Sequence, residues 1–148
     1  MSKQTGYIDS NGHPRLTIRI IGTSSDVPAD TEALMDTGFT GFLMLPIAQA
    51  LPLGLVLVGT ADFELADGSM ITNFLAKGNV TIRPPTVTTS VPSAAVTSAE
   101  SETVEGIIVL GGNGAILGME FLRSLDKLLV VGKIVALVDD SLIARLIV

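Results

Sequence analysis

Period-two alternation dominates this chain and restricts it to strands almost throughout. Arg15-Leu16-Thr17-Ile18-Arg19-Ile20 sets polar against apolar residues in succession, so Leu16, Ile18 and Ile20 share one face. Ala61-Asp62-Phe63-Glu64-Leu65 alternates too, with Phe63 and Leu65 facing together. It runs into Asp67-Gly68, a dipeptide favoured in two-residue hairpin turns because both positions accept φ > 0. Asn79–Arg83 gives a short strand through Val80 and Ile82, and Gly106–Leu110 an apolar one. Lys127–Val131 and Lys133–Val138 read as two strands hinged at Gly132 and buried on both sides. Helical spacing is confined to Met119–Leu125 and Ile47–Leu51. The pattern predicts an all-β fold with one short helix.

Length and composition narrow the function. The 148 residues make one domain, 1–148, and 47% hydrophobic residues supply an ample core. A net charge of −6 with nine scattered basic residues argues against nucleic acid as a partner. With no cysteine there is no disulfide, thiolate metal site or Cys nucleophile. Met1–Pro14 is polar and holds no apolar signal segment, so a cytoplasmic setting is expected. Leu45–Ala61 is broken by Pro46 and Pro52, and Gly106–Met119 is short and glycine-rich. Neither reaches the roughly 20 uninterrupted residues of a spanning helix, so no membrane partner is expected.

One segment departs from the strand pattern. Pro84–Thr103 is dominated by Pro, Ser, Thr and Ala without a period, a linker-like composition that does not fit a compact β-domain.

The candidate chemistry lies in Ala33-Leu34-Met35-Asp36-Thr37-Gly38-Phe39-Thr40-Gly41. An acid ends an apolar strand and drops into a Thr-Gly turn. Leu34 and Met35 beside it predict a partly desolvated carboxylate, primed for proton transfer. Gly38 serves either close approach of a substrate backbone or a positive φ. Downstream, Ile116-Leu117-Gly118-Met119-Glu120-Phe121-Leu122 follows the strand Gly106–Leu110 and opens a short helix.

Together these two motifs resemble the retropepsin-like aspartic proteases, which carry one Asp-Thr-Gly per chain, in their small bacterial single-domain branch. The likeness spans roughly Arg15 to Asp139, and relative to that family Pro84–Thr103 resembles a surface insertion between the strand after the flap and the strand that leads into Ile116-Leu117-Gly118. Pro46–Leu55 is similar to the stretch after that family's active-site loop, Phe63–Ser69 to its flap, and Lys127–Asp139 to its closing strand pair. The resemblance implies a closed β-barrel or sandwich, active as a symmetric homodimer on a peptide or protein substrate. It implies a catalytic loop of Asp36, Thr37 and Gly38, with Thr37 bonding across the twofold axis. Substrate would meet Gly38, Phe39, Thr40 and the flap residues Ala66, Asp67 and Gly68, while Ile116, Leu117 and Gly118 brace the loop from beneath. Phe39 stands where viral and pepsin-like relatives carry a small residue, and Thr40 and Gly41 replace acids that viral members use on substrate backbone.

Carboxylate hydrolysis of a peptide needs one ionised and one protonated acid, and two close carboxylates share a proton because both cannot ionise together. The chain has a single Asp-Thr-Gly and no internal repeat, so the second acid must come from another copy. Asp26, Asp30, Glu32, Asp62, Glu64, Asp67, Asp139 and Asp140 lie outside any second motif and read as solvated surface charge. The expected activity is that of an aspartic endopeptidase. The alternative is a non-catalytic dimerisation or peptide-binding module of the same fold.

Competing motifs fail. Gly112-Asn113-Gly114-Ala115-Ile116-Leu117-Gly118 mimics a dinucleotide-binding loop, with Asp139 downstream, but has one residue too many and too little chain after it. His13, the only histidine, lies in a polar turn, which disfavours a Ser-His-Asp triad or a histidine metal site. No metal and no cofactor are expected.

Overall fold

Leu16, Ile18 and Ile20, one face of the alternating strand, are each at most 1% exposed and sit at the centre of the core. The structure, a computed structural model, describes residues 4–22, 27–83, 103–125, 127–131 and 135–139. In chain order these form β1 (Gln4–Ile8), β2 (Pro14–Gly22), β3 (Ala29–Met35), β4 (Leu43–Leu45) and the single turn of helix α1 (Ile47–Ala50). Then come β5 (Val56–Glu64), β6 (Met70–Arg83), β7 (Thr103–Leu110), β8 (Ile116–Leu117), α2 (Met119–Ser124), β9 (Lys127–Val131) and β10 (Val135–Asp139). Both helices fall on the two stretches with helical spacing, and a 3-10 turn, Leu51–Leu53, follows α1.

The fold is mostly β, as expected. Strand order runs β5-β6-β7-β4-β8-β3-β2-β1-β10-β9. Because β6 also pairs antiparallel with β2, through Ile18↔Ile82 and Ile20↔Val80, the six strands from β6 to β2 close into a barrel. Closure removes the barrel's own sheet edges. Inside are Leu43, Leu45, Val80, Ile108 and Leu117, each at 0% exposure. Phe42 and Phe121 meet edge to face, centroids 5.5 Å apart, and lock α2 onto the barrel.

Several elements differ from the sequence expectation. β1 lies in the polar start of the chain, where no strand was predicted; its pairings with β2 and β10 are tertiary contacts that local pattern does not encode. His13 is exposed in the β1–β2 turn, as expected, and Asp9 organises that turn. Its carboxylate accepts from the backbone N–H groups of Asn11 and His13 and from Arg15 Nε, which holds it down at about 2. β5 starts at Val56, before the alternation begins. Val56, Leu57 and Val58 are all exposed around a bulge at Leu57/Gly59, so no buried face imposes a period there. Leu65 falls outside β5 and is exposed in the turn rather than facing with Phe63. β6 is longer than Asn79–Arg83 because the arm of the hairpin and the barrel wall are one continuous strand.

β9 and β10 pair antiparallel, with Val135 and Ala136 buried; the expected hinge at Gly132 lies outside the described residues. So do residues 84–102 of the expected insertion. Thr103 already belongs to β7, and the flanks are paired, with Thr81 and Thr103 opposite one another and their hydroxyls 2.8 Å apart. Asp30, Glu32, Asp62, Glu64 and Asp67 are exposed, as expected. Asp30 is nonetheless engaged by Arg19, at 2.7 and 3.1 Å, and this contact lowers its carboxyl. Among the described residues no helix is long and apolar enough to cross a membrane.

Candidate active site

The Asp36–Gly41 loop leaves β3 and enters the barrel again at β4. Between those two strands lies β8, parallel to β3 through Met35↔Leu117 and antiparallel to β4 through Leu43↔Leu117. The two ends of the loop are therefore bridged by Ile116–Leu117, and the chain that follows passes directly beneath it. Asp36 N–H donates to the Leu117 carbonyl at 3.0 Å, and Gly118 N–H to the Phe42 carbonyl at 3.1 Å. The first N–H groups of α2, which have no partner inside the helix, donate to the loop: Met119 to the Phe39 carbonyl at 2.8 Å and Glu120 to the Gly41 carbonyl at 3.2 Å.

The structure thus brings the predicted site residues Asp36–Gly38 together with the predicted supports Ile116, Leu117 and Gly118. Gly118 has no freedom to be anything else. A Cβ there would stand 2.1 Å from the Gly41 carbonyl oxygen and 2.5 Å from that of Phe39. Two anchors escaped the sequence reading: the N–H groups of Met119 and Glu120, which carry no side-chain signature. The Phe42–Phe121 pair beneath them was readable only as two apolar residues.

At the apex of the loop, Gly38 N–H donates to Asp36 Oδ1 at 2.8 Å and orients the carboxylate. Gly38 is not among the glycines with positive φ, so the torsional reason for glycine does not hold here. Its Cβ position is open except for Asp36 Oδ1 at 3.1 Å. Asp36, Thr37, Gly38 and Thr40 are exposed. This corrects the expected desolvation of Asp36 within the chain: Met35 is buried and Leu34 half-buried in the sheet, while Asp36 lies beyond the strand end. Phe39 is half-buried.

The β5–β6 hairpin forms an arm. β7 accompanies β6 only from Phe74 onward, so Ala61–Glu64 and Met70–Asn73 pair with each other alone. Its tip is a three-residue loop, Ala66–Gly68, rather than the predicted two-residue turn. Leu65 N–H donates to the Ser69 carbonyl at 2.8 Å, and Gly68 N–H to the Leu65 carbonyl at 2.9 Å. Gly68 takes φ +82°, as its place in the turn requires. Asp67 caps the turn, accepting from Ser69 Oγ at 2.5 Å and from Ser69 N–H at 2.9 Å, and these bonds lower its carboxyl. Each of these bonds stays within the tip. Leu65, Met70 and Ile71 are exposed on this arm, at 47%, 63% and 42%.

A separate apolar recess of about 300 Å³ lies at the root of the arm, lined by Ile47, Leu51, Leu57, Phe74 and Leu110 among others; no residue of the Asp36 loop enters its lining. The Gly112–Gly118 run that mimics a nucleotide loop contains the two-residue β8 and leads into α2, which is six residues long. Among the described residues no group of three or more His, Cys, Asp or Glu could hold a metal ion.

A scan against models of known protein families and a search of curated proteins each return no match.

Proposed function

We propose that the protein is a retropepsin-like aspartic endopeptidase that works as a symmetric homodimer. The observation that carries this reading is the Asp36–Gly41 loop: an acid at a strand end, its carboxylate oriented by Gly38 N–H and presented to solvent, over a floor built from Leu117–Glu120. A surface turn with no task does not need three backbone hydrogen bonds to Leu117, Met119 and Glu120. One chain offers one such acid. A twofold axis beside Thr37 would bring the mate of Asp36 into reach, cover both carboxylates and supply the missing desolvation.

In that arrangement one Asp36 is ionised and takes a proton from water, while its mate, protonated, donates a hydrogen bond to the scissile carbonyl and polarises it. The water attacks the carbonyl carbon. Breakdown of the tetrahedral species then returns a proton to the leaving amine. Thr37 holds the two loops in register, and the Gly38 carbonyl binds substrate backbone. The arm ending in Ala66, Asp67 and Gly68 closes over the peptide and excludes water. Its exposed apolar side chains also suit the second reading, a dimerisation or peptide-binding module without catalysis.

The test is cleavage of a peptide library by the purified full chain from acidic to neutral pH, with pepstatin as control. Turnover is expected on the acid side, bell-shaped in pH because the two acids titrate as a pair, and falling on dilution through the dimer dissociation constant. Asp36→Asn is expected to abolish turnover with stability within about 0.5 kcal/mol of the parent, as for other exposed substitutions. Full turnover in that variant overturns the reading. Binding of library peptides without cleavage by the parent selects the module instead.

A further inference from the structure

We propose that Phe39 is a positioning residue for Asp36, its ring setting the height of the acid loop over the floor rather than lining a substrate pocket. The inference rests on the protease reading for its kinetic consequences and on geometry for its substance. The ring lies against two glycines. A Cβ on Gly41 would stand 2.6 Å from Phe39 Cζ and 2.9 Å from Cε2, and a Cβ on Gly118 would stand 2.6 Å from Phe39 Cδ1. One edge of the ring therefore rests on the floor and the far end on the exit of the loop, each against backbone stripped of a side chain. The main chain of the same residue is held as well: its carbonyl accepts from Met119 N–H at 2.8 Å and its N–H donates to the Asp36 carbonyl at 3.2 Å.

What lies above Phe39 depends on it. Thr37 and Gly38 are exposed, and a Cβ on Gly38 would meet only Asp36 Oδ1 within 4 Å. The N–H that orients Asp36 Oδ1 belongs to Gly38, one peptide unit from Phe39. The Thr37–Gly38 plane that carries this N–H and the Gly38–Phe39 plane meet at the Gly38 Cα, so displacement of Phe39 reaches the carboxylate across one pair of backbone torsions. A small residue at this position would leave the space between Gly41 and Gly118 empty, and the loop could settle into it. Settling by about 1 Å is enough to cost on the order of 100-fold in rate where two acids must meet one substrate.

The experiment compares the parent with Phe39→Ala, Phe39→Leu and Phe39→Tyr, each as the full chain. It measures kcat, KM and the pH–rate profile on a cleaved library peptide, together with amide hydrogen exchange at Gly38, Met119 and Ile108. For Phe39→Ala the expected result is a kcat loss on the order of 100-fold with KM changed less than about twofold. Its pH limbs shift, because the spacing of the acid pair has changed. Exchange is expected to quicken at Gly38 and Met119 while Ile108, in the barrel wall, keeps its protection. Phe39→Leu and Phe39→Tyr should recover most of the rate. A rise in KM at constant kcat overturns the proposal in favour of a substrate contact. A rate loss that follows only the folded fraction, with the pH limbs unmoved, overturns it in favour of a purely structural role. Should Asp36→Asn keep full turnover, the protease reading falls but the exchange comparison still decides: selective quickening at Gly38 and Met119 supports positioning, and unchanged exchange refutes it. If Phe39→Ala does not fold, Phe39→Leu carries the same comparison, with smaller changes in the same direction expected.

Discussion

The Asp36 loop and the tip of the β5–β6 arm are both exposed turns that close on glycine, yet they are held in opposite ways. The loop is tied to the rest of the molecule. Besides the internal bond from Phe39 N–H to the Asp36 carbonyl, its backbone bonds go to Leu117, Met119 and Glu120, across a long stretch of intervening sequence. The tip is tied only to itself, by the bonds among Leu65, Asp67, Gly68 and Ser69. The two glycines show the difference. Gly118 has an ordinary φ of −111° and is required because another backbone fills the space of its side chain. Gly68 has φ +82° and nothing within 4 Å of its Cβ position, so it is required by its own torsion alone. The turn that carries Asp36 is fixed by its surroundings. The turn at the end of the arm keeps its shape through its own bonds.

The largest effect is expected at the floor. Gly118→Ala forces a methyl group into the Gly41 and Phe39 carbonyl oxygens, which are main-chain atoms and cannot rotate away. A loss of about 1–3 kcal/mol is expected, with loss of turnover in the fraction that still folds, read by chemical denaturation and by peptide cleavage. A neutral result would show that the loop is not seated on α2 as described.

Gly68→Val comes next. The left-handed torsion costs a non-glycine residue about 1–2 kcal/mol, but at a free tip much of that is relieved by local rearrangement. Turnover is therefore expected to suffer more than the denaturation midpoint. Gly68→Asn should restore much of the activity, since Asn tolerates this region, whereas Gly118→Asn should restore nothing. Equal behaviour of the two Asn variants would erase the distinction between the glycines.

The smallest effect concerns Asp67. Its carboxyl is lowered by the Ser69 hydroxyl and then by the Ser69 N–H. A folded-state value below the unfolded one means that ionised Asp67 stabilises the tip above about 3.8, and that this contribution fades as pH falls below that value. Protection of Ser69 N–H should accordingly weaken as pH drops below about 3.8, while Met119 N–H in the floor stays protected. In Asp67→Asn the pH dependence at Ser69 should vanish. Parallel loss at both amides would mean global acid unfolding rather than release of the tip.

Much of this contrast was legible in the residues. Asp67-Gly68 announced a turn with φ > 0, although the loop has three residues because Leu65 and Ser69, not Ala66, close the hydrogen-bonded bracket. Asp36-Thr37-Gly38 announced a strand-end acid, but its exposure was not legible, since flanking apolar residues in a strand point away from a residue beyond its end. β1 was invisible because its five residues, Gln4–Ile8, gain their strand only by pairing with β2 and β10. The wedge of Phe39 was invisible because glycines at 41 and 118 meet one ring only after folding.

By itself the sequence determined which faces turn inward, because a strand alternates sides at every residue, and so Leu16, Ile18 and Ile20 had to share the core. It also determined the positive φ of Gly68, because the Asp-Gly turn requirement is local to those residues. Only the tertiary structure decided that Ile116–Leu117, two residues with no period to read, would slot between β3 and β4, and that β6 would reach back to β2 and close the barrel. Those pairings join residues distant along the chain, and their reward comes from backbone groups that every residue carries, so side-chain pattern does not announce them.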